Sequence, residues 1–141
     1  MPPAARSLLA FVIEDQPSVR KLLRELLERE GFFVAEAATA RAALRFLADH
    51  QPDLICVDLI LPELSGFEVC AQIRGNPRLE QVPLLVISGR SSTEDQAQAQ
   101  EFGASAFLAK PFGAEQFSRC VRALLPGADR RRSATGPGQA S

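Results

Sequence analysis

Four apolar runs in this chain of 141 residues each give way to a polar side chain able to do chemistry. Leu8–Ile13 leads to Glu14 and Asp15, Leu54–Val57 to Asp58, Val82–Ile87 to Ser88, and Ala106–Ala109 to Lys110. Asp is a poor strand residue and a costly one to bury unpaired, so an acid at the end of such a run needs a reason. Three carboxylates brought together repel one another unless a cation sits between them. Hard carboxylate oxygens with no His or Cys nearby favour Mg2+ over zinc or copper. A phosphoryl group completes the logic. The metal and a lysine ammonium neutralise its oxygens, a hydroxyl donates a further hydrogen bond, and a carboxylate can attack phosphorus to give an aspartyl phosphate. Asp58, following the run most like a fully buried strand, is the first candidate.

Taken singly, each residue has an ordinary account. An Asp at a strand end is commonly a helix cap or turn former, and Glu14-Asp15 is a pair that a helix dipole favours. Ser88 serves equally as a cap, and Lys110 before Pro111 as a solvated lysine. What these accounts explain badly is the joint occurrence, in chain order, each after an apolar strand.

The elements that would position them follow from periodicity. Leu8–Ile13 is a buried strand, and Pro17 suits the first turn of a helix carrying Val19, Leu22, Leu23, Leu26 and Leu27, stopped by Gly31. Phe32–Ala35 is a second strand, followed by a helix capped by Thr39 with Ala43, Leu44 and Leu47 inward. After the third strand, Leu54–Val57, a helix from about Ser65 uses Phe67, Val69, Cys70 and Ile73 and stops near Gly75-Asn76-Pro77. Val82–Ile87 is the fourth strand. Ser91 and Ser92, with Glu94 and Asp95 behind them, start a polar, Ala- and Gln-rich helix that Gly103 ends. Ala106–Ala109 is a short fifth strand, and the last helix, about Ala114 to Leu125, presents Phe117, Cys120, Val121 and Leu124. Strands alternating with helices imply right-handed crossovers and a doubly wound five-stranded parallel sheet of order 2-1-3-4-5, an α/β fold. In such a sheet all the polar strand ends lie on one edge.

The totals narrow the function classes. Hydrophobic residues are 46% of the chain and the formal net charge is −1, so neither wholesale disorder nor a nucleic-acid or membrane surface is expected. Nine Phe with no Trp or Tyr argue against a base-stacking platform. Cys56, Cys70 and Cys120 are scattered in apolar sequence, as reduced core residues of a cytoplasmic protein would be. No run reaches transmembrane length and no signal-peptide pattern is present. The expected organisation is a lead over residues 1–6, one domain over 7–125 and a disordered tail over 126–141, in which Arg130-Arg131-Arg132 is too short for a DNA-binding arm.

Val12-Ile13-Glu14-Asp15-Gln16, Val57-Asp58-Leu59-Ile60-Leu61-Pro62 with Gly66, Val86-Ile87-Ser88-Gly89 and Gly103-Ala104 through Phe107-Leu108-Ala109-Lys110-Pro111-Phe112 together resemble the receiver domain of two-component response regulators, of the single-domain, chemotaxis-regulator kind. The resemblance runs from about Ser7 to Leu125 and implies the flavodoxin-like receiver fold, for which the strand order above is the familiar one. It implies that Asp58 accepts a phosphoryl group from a histidine kinase or histidine phosphotransfer protein. Glu14, Asp15, Asp58 and the backbone carbonyl of Ile60 would hold Mg2+. Ser88 and Lys110 would bind phosphoryl oxygens, and Phe107 would be the switch aromatic that turns inward when Ser88 moves. The Lys110–Pro111 bond is expected to be cis. Gly89 stands where Ala is usual, which would loosen the loop after Ser88. Apolar Ile60 cannot position a water, and Arg90 could reach across to shield the phosphoryl group, so a long-lived phosphoryl state is expected.

Such a protein is a phosphoprotein of bacterial signalling and not an enzyme in the usual sense, since it catalyses only its own phosphorylation and slow autodephosphorylation. With 16 residues after Leu125, the expected output is protein binding through the fourth helix, fifth strand and fifth helix, or passage of the phosphoryl group along a relay. The alternative is a receiver-fold interaction module independent of phosphorylation, against which the intact acids, Ser88 and Lys110 argue. An aspartate-nucleophile phosphatase would want a second acid where Ile60 stands. His50, the only histidine, reads as a surface or dipole-compensating residue.

Overall fold

The computed structural model describes residues 7–125. The expected lead over 1–6 and tail over 126–141, with its arginine run, lie outside the described residues. Five strands, β1 (Leu8–Ile13), β2 (Phe32–Ala37), β3 (Leu54–Val57), β4 (Leu84–Ser88) and β5 (Ala106–Ala109), alternate with five α-helices. These are α1 (Pro17–Arg29), α2 (Ala40–Asp49), α3 (Gly66–Arg74), α4 (Thr93–Glu101) and α5 (Ala114–Leu124). All strand pairs are parallel, in the order β2-β1-β3-β4-β5. The fold is the doubly wound receiver architecture read from the sequence.

Successive strand residues point to opposite faces, so the sheet feeds two cores. Phe11, Ile13, Ile55, Val57, Leu84 and Val86 pack under α2 and α3. Ala10, Val12, Cys56, Leu85, Ile87 and Leu108 pack under α1 and α5. The cysteines are free, Cys56 and Cys70 buried and Cys120 half-buried. Among the described residues no helix is long and apolar enough to cross a membrane.

Helix starts obey local chemistry. The Thr39 hydroxyl accepts from the Ala42 amide at 3.1 Å, the Ser65 hydroxyl from the Glu68 amide at 3.2 Å, and Ser92 and Asp95 form a reciprocal capping box. Gly31 and Gly103, at φ 98° and 108°, end helices in the left-handed region that favours glycine.

Three details depart from the sequence reading. β2 runs on to Ala37, because Ala35, Glu36 and Ala37 pair with Phe11, Val12 and Ile13 on the neighbouring strand. Pairing overrides the weak strand preference of Ala and Glu. β4 begins at Leu84 instead of Val82, the intervening Pro83 having no N–H for a ladder. Leu22 is 43% exposed, since the buried stripe of α1 centres on Leu23, Leu26 and Leu27 and leaves Leu22 at its edge. His50 lies exposed at the end of α2 with its ring stacked on Phe46.

Candidate functional site

Register fixes the heights at which the polar residues leave the sheet. Ile13 pairs with Val57, so Glu14 and Asp58 follow side by side. Ser88 pairs with Ala109, so Lys110 departs directly beyond it. The Asp58 amide donates to the Ile13 carbonyl at 3.1 Å and the Lys110 amide to the Ser88 carbonyl at 3.0 Å, which extends the ladder into the site itself.

One carboxylate oxygen from each of Glu14, Asp15 and Asp58 lies within 4.8 Å of the other two. Glu14 is 1% and Asp58 5% exposed, while Asp15 is the more open of the three. The Lys110 ammonium donates to Asp58 Oδ2 at 2.9 Å and to Glu14 Oε1 at 3.1 Å. The other Asp58 oxygen accepts from the Ile60 amide at 3.0 Å, and Glu14 Oε2 from the Gln16 amide at 3.1 Å. Both buried acids are therefore held at both oxygens, which fixes their orientation.

The electrostatics record the crowding. Burial pushes the Glu14 carboxyl up to about 6; the Gln16 amide and Lys110 pull it down, and the charge on Asp58 adds to the rise. Burial alone would lower Lys110, but its hydrogen bonds to Asp58 and Glu14 outweigh that and hold it above the ordinary lysine value. Three acids facing one ammonium leave room for a second cation. An all-carboxylate donor set open on one side suits a hard divalent ion that keeps some of its waters.

Ser88 is fully buried, with its hydroxyl oxygen accepting from the Arg90 amide at 3.1 Å. Ile60 is 54% exposed beside Asp58, and the contact between them runs through its amide. Gly89 is exposed, and a Cβ there would meet nothing within 4 Å, so this loop has room for Ala. Phe107 is half-buried on β5 and lines the groove under α4. The Lys110–Pro111 peptide bond is cis. The Arg90 guanidinium turns toward α4, donating to Asp95 at 2.8 Å and lying 5.5 Å from the Phe67 ring centroid.

Gly66 and Arg74 carry structural weight that the sequence alone does not show. A Cβ on Gly66 would lie 2.2 Å from the Asp58 carbonyl oxygen and 2.5 Å from Leu59 Cα, so only glycine lets α3 start against the strand end. Arg74 donates to the carbonyls of Gly103, Leu79 and Val82 at 2.7–2.9 Å and to the Ser105 hydroxyl at 3.2 Å, tying α3 to the turn before β5. A cation in the last turn of a helix, just before Gly75-Asn76-Pro77, was the available signal.

Residues 10–122 match the response regulator receiver domain family. The chain is 38% identical over 117 residues to the transcriptional regulatory protein KdpE of Mycobacterium tuberculosis. It is 35% identical over 120 residues to the DNA-binding dual master transcriptional regulator RpaA of Synechocystis. These matches cover 83% and 85% of this chain and 50% of each relative, so the chain spans about half the length of the curated relatives it matches. Among solved structures, the chemotaxis response regulator CheY4 of Vibrio cholerae superposes with a TM-score of 0.81 at 26% identity, over 85% of this chain and all of that one. The receiver domain of a signal transduction histidine kinase from Syntrophus aciditrophicus does so with 0.79 at 30% identity, over 86% and 92%. A third, the receiver domain of the sensor histidine kinase PA1611 from Pseudomonas aeruginosa, shares the fold at 23% identity and a TM-score of 0.79 over 86% and 99%; its active-site cleft coordinates a magnesium ion. With the family match spanning residues 10–122, this chain belongs to the response regulator receiver domains of two-component systems.

Proposed function

We propose that the chain is a phosphoacceptor switch in which Asp58 takes a phosphoryl group from the phosphohistidine of a histidine kinase or phosphotransfer protein. One observation carries the reading: three carboxylates converge within 4.8 Å while a lysine bonds two of them. In the transfer an Asp58 carboxylate oxygen attacks phosphorus, the P–N bond breaks, and its electron pair stays on the imidazole nitrogen. Lys110, already on Asp58, shifts to a phosphoryl oxygen, and the Ser88 hydroxyl turns to donate to another. Receivers bind Mg2+ in their active site, and Glu14, Asp15, Asp58 and the Ile60 carbonyl are the groups that would hold it here. When bound, the ion neutralises phosphoryl oxygens and relieves the repulsion among the acids.

The output surface is read as α4, β5 and α5. A groove of about 410 Å3 between α4 and β5, lined by Gln96, Ala97, Gln100, Ala104 and Phe107, gives a partner somewhere to bind, and Phe107 is positioned to alter it. Phosphorylation would act by biasing two arrangements of this face. The transcriptional roles named for KdpE and RpaA belong to proteins twice the matched length. A slow loss of phosphate rests on Ile60, whose exposed apolar side chain offers an attacking water no hydrogen bond. Loss within seconds in Mg2+ would count against that feature.

The test is intact-mass spectrometry after incubation with Mg2+ and acetyl phosphate, beside Asp58→Ala. A single phosphoryl adduct that requires Mg2+ and is absent from the variant is expected. No adduct from several donors on folded protein would overturn the reading in favour of a phosphorylation-independent interaction module.

A further inference from the structure

Helix α4 is held in an unusual way. Of its nine residues only Ala99 is buried, so its body contributes little to fixing it against the sheet. The contacts that hold it lie at its ends, and both ends use the same residue of α3. At the start, the guanidinium of Arg90 lies over the Phe67 ring and donates to Asp95 Oδ1 at 2.8 Å. Asp95 is also the capping-box acid, its other oxygen accepting from the Ser92 amide at 3.2 Å and the Ser92 hydroxyl at 2.9 Å. At the finish, Phe102 packs on Phe67 with ring centroids 5.8 Å apart.

Arg90 is also joined to the phosphoryl site. Its backbone amide donates to the Ser88 hydroxyl oxygen at 3.1 Å. One residue thus holds the hydroxyl expected to meet a phosphoryl oxygen and, seven bonds away along its own side chain, the first turn of α4.

We propose that Arg90 is a latch: through Asp95 and Phe67 it keeps α4 in the unphosphorylated arrangement, and movement of Ser88 toward a phosphorylated Asp58 releases it. The proposal rests on the phosphoacceptor reading and names how that site would be coupled to its surface. Turning Ser88 takes its oxygen away from the part-buried Arg90 amide, which loses the acceptor that holds the loop in place. The loop follows the hydroxyl instead, which draws the guanidinium off Asp95 and the Phe67 face. With one buried side chain in its body, α4 then keeps its capping box but has little else to tie its first turn to the rest of the fold. Because the latch forms in one state only, it opposes phosphorylation by the same factor by which phosphorylation opposes it. An ion pair that is half-exposed on the arginine side, with a cation–π contact beside it, sets that factor at about three- to ten-fold.

The experiment uses Arg90→Gln, which keeps the backbone amide on Ser88 and the Ser92–Asp95 capping box but removes the charge, together with Asp95→Asn and the double variant. Two quantities are read in Mg2+: hydrogen exchange over residues 92–101 without a phosphoryl mimic, and the affinity for beryllofluoride, which occupies a carboxylate as a phosphoryl group does. Expected for Arg90→Gln are faster exchange in the first turn of α4 and about three- to ten-fold tighter beryllofluoride binding, with the double variant no tighter than the tighter single one. Tighter binding separates a latch from a merely structural contact, whose loss would weaken binding or leave it alone. Wild-type protein that binds beryllofluoride while Arg90→Gln changes neither quantity, or effects of the two substitutions that simply add, would overturn the latch alone. Wild-type protein that binds none at all would overturn the phosphoacceptor reading and the coupling with it.

Discussion

At the scale of single residues, the chemistry was legible because function forces polar groups into places where strand propensity and burial reject them. Glu14, Asp58, Ser88 and Lys110 each break an apolar run, and the structure brings the acids and the lysine into contact. What the sequence hid were residues whose reason is close approach. Gly66 entered only as part of a motif, yet its role is to let α3 begin against the Asp58 carbonyl, where a methyl group would sit at 2.2 Å from a backbone atom. Backbone cannot swing aside as a side chain can, so Gly66→Ala is expected to cost about 1–3 kcal/mol by overpacking. The strand end that carries Asp58 would be displaced with it. Urea unfolding measures the first effect, and the yield of phosphoryl adduct under fixed donor and Mg2+ measures the second; an unchanged midpoint would show that the helix start yields more readily than the geometry implies. Arg90 was hidden for a different reason, since nothing in a sequence says which of two reachable neighbours a long side chain will choose.

At the scale of elements, local signals did most of the work. Thr39, Ser65 and Ser92 were visible caps and Gly31 and Gly103 visible stops, because capping is decided within a few residues. Element ends decided by distant neighbours were not visible: β2 extends to Ala37 only because β1 lies beside it. Arg74 belongs to the same class. Its guanidinium gathers the carbonyls of Leu79, Val82 and Gly103 from two separate turns, and its stem packs against Gly103, where a Cβ would meet Arg74 Cγ at 2.2 Å. Desolvation is the main effect on it and lowers its pKa, yet it remains an arginine with full charge at any working pH. Arg74→Met preserves most of the stem and removes every donor. Several acceptors then lose their partner, and a loss of about 2–4 kcal/mol is expected at roughly 1 kcal/mol each. Chemical denaturation checks this, and faster hydrogen exchange at Ser105, on the far side of the tie, would distinguish a lost link from a general loosening.

At the scale of the whole molecule, the fold carries a charge arrangement that works against its own stability. Glu14 is 1% exposed and has its carboxyl pushed up to about 6 from 4.5, burial being the largest cause. An acid whose folded pKa lies above its unfolded value adds stability that is fully present below the unfolded value and is lost as pH rises through the folded one. For Glu14 that window runs from about pH 4.5 to 6 and beyond, and at pH 7 the penalty is about 2 kcal/mol. Glu14→Gln is therefore expected to be more stable than wild type at pH 7 in the absence of metal, by up to that amount, and the difference should vanish near pH 4.5. Carboxylates remote from the site are common to both proteins and cancel in the difference between the two unfolding curves, which reports Glu14 together with its coupling to Asp58 and Lys110. Mg2+ is expected to reverse the order. Held by the ionised acids of the native state, it would add about 2.7 kcal/mol at about 100 times its dissociation constant. Adding Mg2+ should raise the melting temperature of wild type strongly at pH 7, weakly at pH 5 where Glu14 holds its proton, and little at either pH in Glu14→Gln. Thermal unfolding of the two proteins at both pH values, with and without Mg2+, decides it. A wild-type response to Mg2+ as large at pH 5 as at pH 7 would mean that Glu14 is not the group whose ionisation the metal requires.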